Sequence, residues 1–205
     1  MNVADHPRRV LHVDLQPFFV AVERARDGLL RDRPVIVGGE GPFGRVAAVS
    51  DEASQAGVRV GQCLVEARRL CPGAAVCPGD FESYARVSTD VTAILLGVSR
   101  RVERPSVDEA FVDLSAAESL RHAVLAAESL REQIQSRLRL DSAFGLGSSR
   151  LAARIASRWA RPRGLLLLLP QHESSFVNRQ SVAALDDVPA PALAALQRAG
   201  IRTCG

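Results

Sequence analysis

The chain reads as an α+β protein, a ferredoxin-like βαββαβ frame with a small module inserted after its first strand. Two patterns carry that reading. With residues 17–79 set aside, the apolar periodicity runs strand, helix, strand, strand, helix, strand, followed by one further helix and strand. Residues 17–79 hold short strands and helices of their own, punctuated by Gly and Pro, as an inserted unit would. A third observation concerns chemistry. Asp14 closes the first apolar run, and the adjacent acids Asp108 and Glu109 open a much later one.

Val10 to Asp14 is a short apolar strand with its acid at the C-terminal end. Pro17-Phe18-Phe19 then opens a helical pattern with Phe18, Val22 and Ala25 on one face. Phe18 suits a core position; Phe19, directly after it, suits one less well. Pro34 to Val37 is a strand, and Gly39, Gly41 and Gly44 after it satisfy GxGxxG literally. A dinucleotide-binding loop needs a helix next, whereas Arg45 to Val49 reads as strand, so this is a hairpin loop. Asp51 to Gly57 is a short helix ended by glycine, and a second runs from about Cys63 to Leu70.

From Phe81, helical spacing through Tyr84, Val87, Val91, Ile94 and Leu95 continues to Val98. Ser99 to Arg104 and Asp108 to Leu114 are two strands across a tight Pro105-Ser106 connection. Ser115-Ala116-Ala117-Glu118 has the form of a capping box, opening a long helix with Leu120, Val124, Leu130, Ile134 and Leu138 on one face. Ser142 to Leu146 is strand, Ser149 to Ala160 helix, and Leu165 to Leu169 a fully buried strand. After Pro170 the polar run Gln171 to Ser175 reads as a hinge, followed by a short helical tail.

At 205 residues, 47% hydrophobic and 24% charged, this is an ordinary globular composition with ample chain for a core. The net charge of +3 permits a nucleic-acid partner without demanding one. All 26 basic residues are Arg, so any anion contact is made by a guanidinium. Cys63, Cys71, Cys77 and Cys204 form no CxxC pair and no zinc spacing, and they read as reduced thiols of a cytoplasmic protein. The run Leu165 to Leu169 is too short to span a bilayer, and the N-terminal residues lack a signal-peptide pattern, so no membrane partner is expected.

Asp14, Asp108 and Glu109 admit two readings from the residues alone. They are surface acids at strand ends, or they meet around a divalent cation, since three close carboxylates repel one another without one.

Val10 to Asp14 followed by Phe18-Phe19, then Ser106-Val107-Asp108-Glu109-Ala110, resembles the Y-family DNA polymerases, the translesion enzymes. Arg45 to Ala48, Ala67 to Pro72, Phe81 with Tyr84 and Ser88, Ala153 to Ser157 and Arg161 to Gly164 extend the resemblance over nearly the whole chain. It implies a catalytic palm over residues 1–16 and 80–170, fingers over 17–79, and a partial helical thumb over 171–205. The implied reaction is template-directed deoxynucleotidyl transfer on primer-template DNA from dNTPs, in translesion synthesis or repair. Asp14, Asp108, Glu109 and the Leu15 carbonyl fall on the family's ligands for two Mg²⁺ ions, which Mn²⁺ can replace. Phe18, Phe19 and Arg154 fall on nucleotide-contacting positions, with Phe19 as the steric gate against a ribose 2′-hydroxyl. A sliding clamp or a second polymerase subunit are further partners that the resemblance admits.

The departures from the family pattern are specific. Asp51 and Ser54 stand where a tyrosine and an arginine clasp the triphosphate, so a carboxylate replaces a hydroxyl and a bidentate donor is lost. Gln16 stands where many relatives carry aspartate. Val188 to Ala192 reads Val-Pro-Ala-Pro-Ala where a glycine-containing phosphate-binding hairpin is usual. The family's C-terminal DNA-gripping domain has no counterpart before Gly205. The alternative function is therefore a catalytically weak or silent polymerase-like adaptor in a DNA-damage complex.

Overall fold

The computed structural model describes residues 7–15, 17–39, 41, 43–185 and 188–205. In chain order the elements are β1 (Val10–Asp14), α1 (Phe18–Arg26), β2 (Val35–Gly38), β3 (Val46–Val49), α2 (Asp51–Gln55), α3 (Leu64–Leu70), β4 (Ala75–Pro78) and α4 (Phe81–Leu96). They continue with β5 (Val102–Glu103), β6 (Glu109–Asp113), α5 (Leu120–Leu138), β7 (Ala143–Gly147), α6 (Arg150–Trp159), β8 (Gly164–Leu167), α7 (Pro170–Asn178) and α8 (Ala190–Arg198).

Five strands form one sheet in the order β5-β6-β1-β7-β8. The first four have the strand arrangement of a ferredoxin-like sheet, with β8 added at the edge in parallel with β7. Contacts divide the chain into two units. One comprises Met1–Val13, Phe111–Glu128 and Ala143–Gly205; the other comprises Asp14–Ala110 and Ser129–Ser142.

The second unit contains the three-stranded sheet β3-β2-β4, whose strands all fall within residues 17–79. There β2 pairs antiparallel with β3 and parallel with β4. Ile36, Val46, Ala53, Val58, Leu64, Ala67 and Cys71 form a core of their own, which is why so short an insertion holds its shape. The β2–β3 register breaks at Gly38, where a Cβ would lie 2.8 Å from the Arg45 carbonyl oxygen. The hairpin reading of the Gly-rich loop holds; Glu40 and Pro42 of that loop lie outside the described residues, as does Gln16. In α4, the Asp80 side chain caps the helix by accepting from the Ser83 amide at 3.0 Å.

In the first unit, Gly145 of β7 lets α6 lie directly on the strand, because a Cβ there would run into the Ala153 carbonyl and the Ser157 amide. Ser149 caps α6 by accepting from the Ala152 amide. Ala152, Ala156 and Leu168 pack together beneath Phe176 and Val177.

Four expectations are corrected. The Ser115–Glu118 capping box does not start α5. Ser115 instead accepts from the Arg9 amide at 3.0 Å, and Ser119 accepts from the His122 amide at the true helix start. The inner face of α5 is Ala123, Ala127, Leu130 and Ile134, while Leu120, Val124 and Leu138 are only half-buried beside that stripe. β8 is half-buried along its length, as befits an edge strand. Residues 171–175 are not a hinge but part of α7, with Pro170 in its first turn, where a missing N–H costs nothing. Glu173 secures that helix, accepting from the Ser148 amide and, at 2.7 Å, from the Ser148 hydroxyl.

Candidate active site

Asp14 and the Asp108–Glu109 pair are brought to one place by backbone pairing. The Leu15 amide donates to the Asp108 carbonyl at 2.9 Å. Since β1 and β6 are neighbours in the sheet, this bond sets Asp14, the last residue of β1, directly across from Glu109, the first of β6. Asp14 is buried, only 2% exposed, and so is Leu15; Asp108 and Glu109 are half-buried. Asp108 lies just ahead of β6, in the turn that follows β5, and its carboxylate accepts from the Ser106 hydroxyl at 2.5 Å.

Among the described residues, no three His, Cys, Asp or Glu side chains are grouped so as to hold a metal ion as they stand. The donor types at these strand ends are nevertheless all hard oxygens, the carboxylates of Asp14, Asp108 and Glu109 and the Leu15 carbonyl, the chemistry that divalent cations such as Mg²⁺ take.

The aromatic pair after β1 divides as its pattern suggests. Phe18 is buried and Phe19 half-buried. The Phe19 ring lies 4.7 Å from Tyr84 and meets Phe81 edge-on at 5.9 Å. Tyr84 is itself held by donating to the Glu23 carboxylate at 2.6 Å. Burial and that carboxylate push the Tyr84 phenol well above its ordinary pKa.

In the first unit, α6 presents two guanidiniums to one ring. Arg150 and Arg154 sit 4.2 and 5.1 Å from the centre of Phe111. Buried His12 locks this helix: its Nδ1 lies 2.7 Å from the Ser157 hydroxyl, which donates to the Arg154 carbonyl at 2.8 Å. With the serine proton directed at Arg154, the imidazole carries its proton on Nδ1 and donates. The His12 ring also packs 4.6 Å from Phe111.

Asp51 and Ser54 both lie on α2, Asp51 exposed at its first turn. The Arg59 guanidinium folds back onto the Ser54 carbonyl at 2.7 Å, and Arg24 from α1 grips both oxygens of Glu52 at 3.1 and 3.0 Å.

Sequence reading alone missed His12, Ser157 and Phe111 as supports of α6. A buried-strand histidine and a helical serine carry no motif, and only the packing pairs them.

A ferredoxin-like sheet thus brings two acidic segments, far apart in the chain, to one strand end. Residues 13–158 match the impB/mucB/samB family, and the chain belongs to that family. It is 41% identical over 199 residues to a DNA polymerase IV of Streptomyces coelicolor, covering 96% of this chain and 42% of the relative. It is 37% identical to a DNA polymerase IV of Stenotrophomonas maltophilia, covering 97% of this chain and 55% of the relative. The chain thus spans about half the length of the curated relatives it matches. In fold it matches the crystal structure of DinB from Sulfolobus solfataricus with a TM-score of 0.89 at 23% identity, over 95% of this chain and 58% of the other. It matches an insertion ternary complex of Dbh DNA polymerase with a TM-score of 0.88 at 22% identity, with the same coverage. Among the described residues no helix is long and apolar enough to cross a membrane.

Proposed function

We propose that the chain is the catalytic core of a Y-family DNA polymerase, adding deoxynucleotides to a primer on template DNA. The observation that carries the proposal is the Leu15–Asp108 backbone bond, which unites the two acidic segments. Membership of the impB/mucB/samB family supports it, as does likeness to relatives called DNA polymerase IV. In this reading residues 1–16 and 80–170 are palm, 17–79 fingers and 171–205 part of a thumb.

Asp14, Asp108, Glu109 and the Leu15 carbonyl would hold two Mg²⁺ ions, or Mn²⁺ in their place. Bound there, the ions supply stabilisation of the attacking and leaving oxygens of an in-line displacement. The primer 3′-hydroxyl gives its proton to solvent and its oxygen bonds to the α-phosphorus as the bond from that phosphorus to the departing pyrophosphate breaks. Phe19, steadied by Tyr84 and Phe81, occupies the space of a ribose 2′-hydroxyl. Arg154, held by its stacking on Phe111, meets the triphosphate as a guanidinium.

Primer extension with Mg²⁺ or Mn²⁺ on undamaged and abasic templates tests this. Asp108→Asn should abolish extension that the parent chain supports. A folded parent chain that extends neither template at any concentration would remove the proposal.

Asp51 favours a second reading, a silent adaptor in a DNA-damage complex. Its carboxylate is exposed and, at the position the resemblance implies, would repel the triphosphate. In that case Asp108→Ala leaves damage-induced mutagenesis in cells unchanged, and loss of mutagenesis excludes it.

A further inference from the structure

The turn Pro105–Asp108 carries an acid of the candidate site between two strands, since β5 ends at Glu103 and β6 begins at Glu109, and its Asp108 carbonyl accepts from the Leu15 amide. The Arg104 side chain ties the turn to α4. The half-buried Arg104 guanidinium donates from Nη1 to the Thr92 hydroxyl at 2.9 Å and the Ser88 carbonyl at 3.3 Å. From Nη2 it donates to the Ser88 hydroxyl at 2.9 Å and the Val107 carbonyl at 2.5 Å, and from Nε to the Ser106 carbonyl at 3.4 Å. The ring of bonds closes locally. The Ser88 hydroxyl donates to the Val107 carbonyl at 3.2 Å, and the Thr92 hydroxyl donates to the Ser88 carbonyl at 2.8 Å. The Ser106 hydroxyl then holds the Asp108 carboxylate from the same turn.

We propose that Arg104 is a positioning residue for Asp108, fixing the turn against α4 so that the carboxylate stands ready for a divalent cation. The proposal rests on the metal-dependent reading above. The geometry requires a planar fork: one group must reach two hydroxyls on the helix and two carbonyls of the turn at once, which a lysine ammonium cannot do. Burial draws the guanidinium pKa down while the neighbouring Asp108 charge pushes it up, so the two groups are electrostatic neighbours as well. Positioning and charge therefore make opposite predictions. If Arg104 mattered only as a positive charge, removing it would tighten cation binding; if it holds the turn, removing the fork loosens it.

The experiment uses the full chain as the parent protein, Arg104→Lys, Arg104→Ala, and the double variant Ser88→Ala with Thr92→Val. Mn²⁺ binding without DNA is read by electron paramagnetic resonance, primer extension by kcat and the nucleotide KM, and folding by thermal melting. Arg104→Lys should weaken Mn²⁺ binding and lower kcat by about 10-fold, with the nucleotide KM unmoved. The double variant should shift both in the same direction by less, and it decides the matter if the Arg104 variants fail to fold. Unchanged or tighter Mn²⁺ binding in folded Arg104→Lys and Arg104→Ala overturns the proposal. A parent chain that binds Mn²⁺ through Asp108 yet extends no primer defeats the polymerase reading alone, and the binding data still decide the role of Arg104.

Discussion

The Tyr84 hydroxyl donates to the Glu23 carboxylate at 2.6 Å, joining α4 to α1 directly behind the Phe19 ring. Tyr84→Phe removes a hydrogen bond to a charged group and should cost about 1.5–3 kcal/mol, read by denaturant unfolding. The phenol also has a signed pH effect. Its folded pKa is raised above the ordinary value of 10.0, so the fold prefers the neutral form. That contribution is complete below pH 10.0 and drains away as the pH rises above it. Tyr84 is the chain's single tyrosine, so tyrosinate absorbance reports it alone, with Tyr84→Phe as the blank.

Phe19 is the ring whose position that bond secures. If it excludes the 2′-hydroxyl, Phe19→Ala should raise ribonucleotide over deoxynucleotide incorporation by about 10- to 100-fold. The ratio of kcat/KM values for matched pairs measures it. An unaltered ratio assigns the ring to packing with Phe81 and Tyr84.

If Asp51 and Ser54 face the triphosphate, as the resemblance implies, they weaken nucleotide capture. Asp51→Tyr with Ser54→Arg should lower the nucleotide KM by about 100-fold, with kcat changed little, because two charge-assisted contacts are gained. The new arginine would have Arg59 for a neighbour, since that guanidinium already covers the Ser54 carbonyl. Steady-state extension kinetics at varied nucleotide separates the two constants.

Gly145→Ala tests how α6 is held. The added methyl meets the Ala153 carbonyl, which is backbone and cannot swing aside. The helix must move, at a cost of about 1–3 kcal/mol, visible as a lower Tm. Arg154 rides on that helix, so if it meets the triphosphate as proposed, nucleotide affinity should fall with it.

The frame was legible because strand and helix periods are local. With residues 17–79 set aside, the element order was read correctly, and the observed sheet has the strand arrangement that order implies. The misreadings were local too. Ser115 has the look of a cap but serves the Arg9 amide instead, and the polar run after Pro170 conceals a helix held by one buried glutamate. A capping motif or a polar stretch shows what a segment can do, while the partner it finds depends on chains distant in sequence.

Residue chemistry and spacing in the chain alone singled out Asp14 and Asp108–Glu109, because paired acids at the ends of apolar strands are visible in a string of letters. The alignment of these segments, Leu15 bonded to Asp108 with Asp14 across from Glu109, arises only when β1 and β6 become neighbours. So does the Arg104 fork, whose partners Ser88 and Thr92 are ordinary helix residues until the turn folds back over them. Hydrogen bonds between segments are set by packing in three dimensions, and no one-dimensional period encodes them.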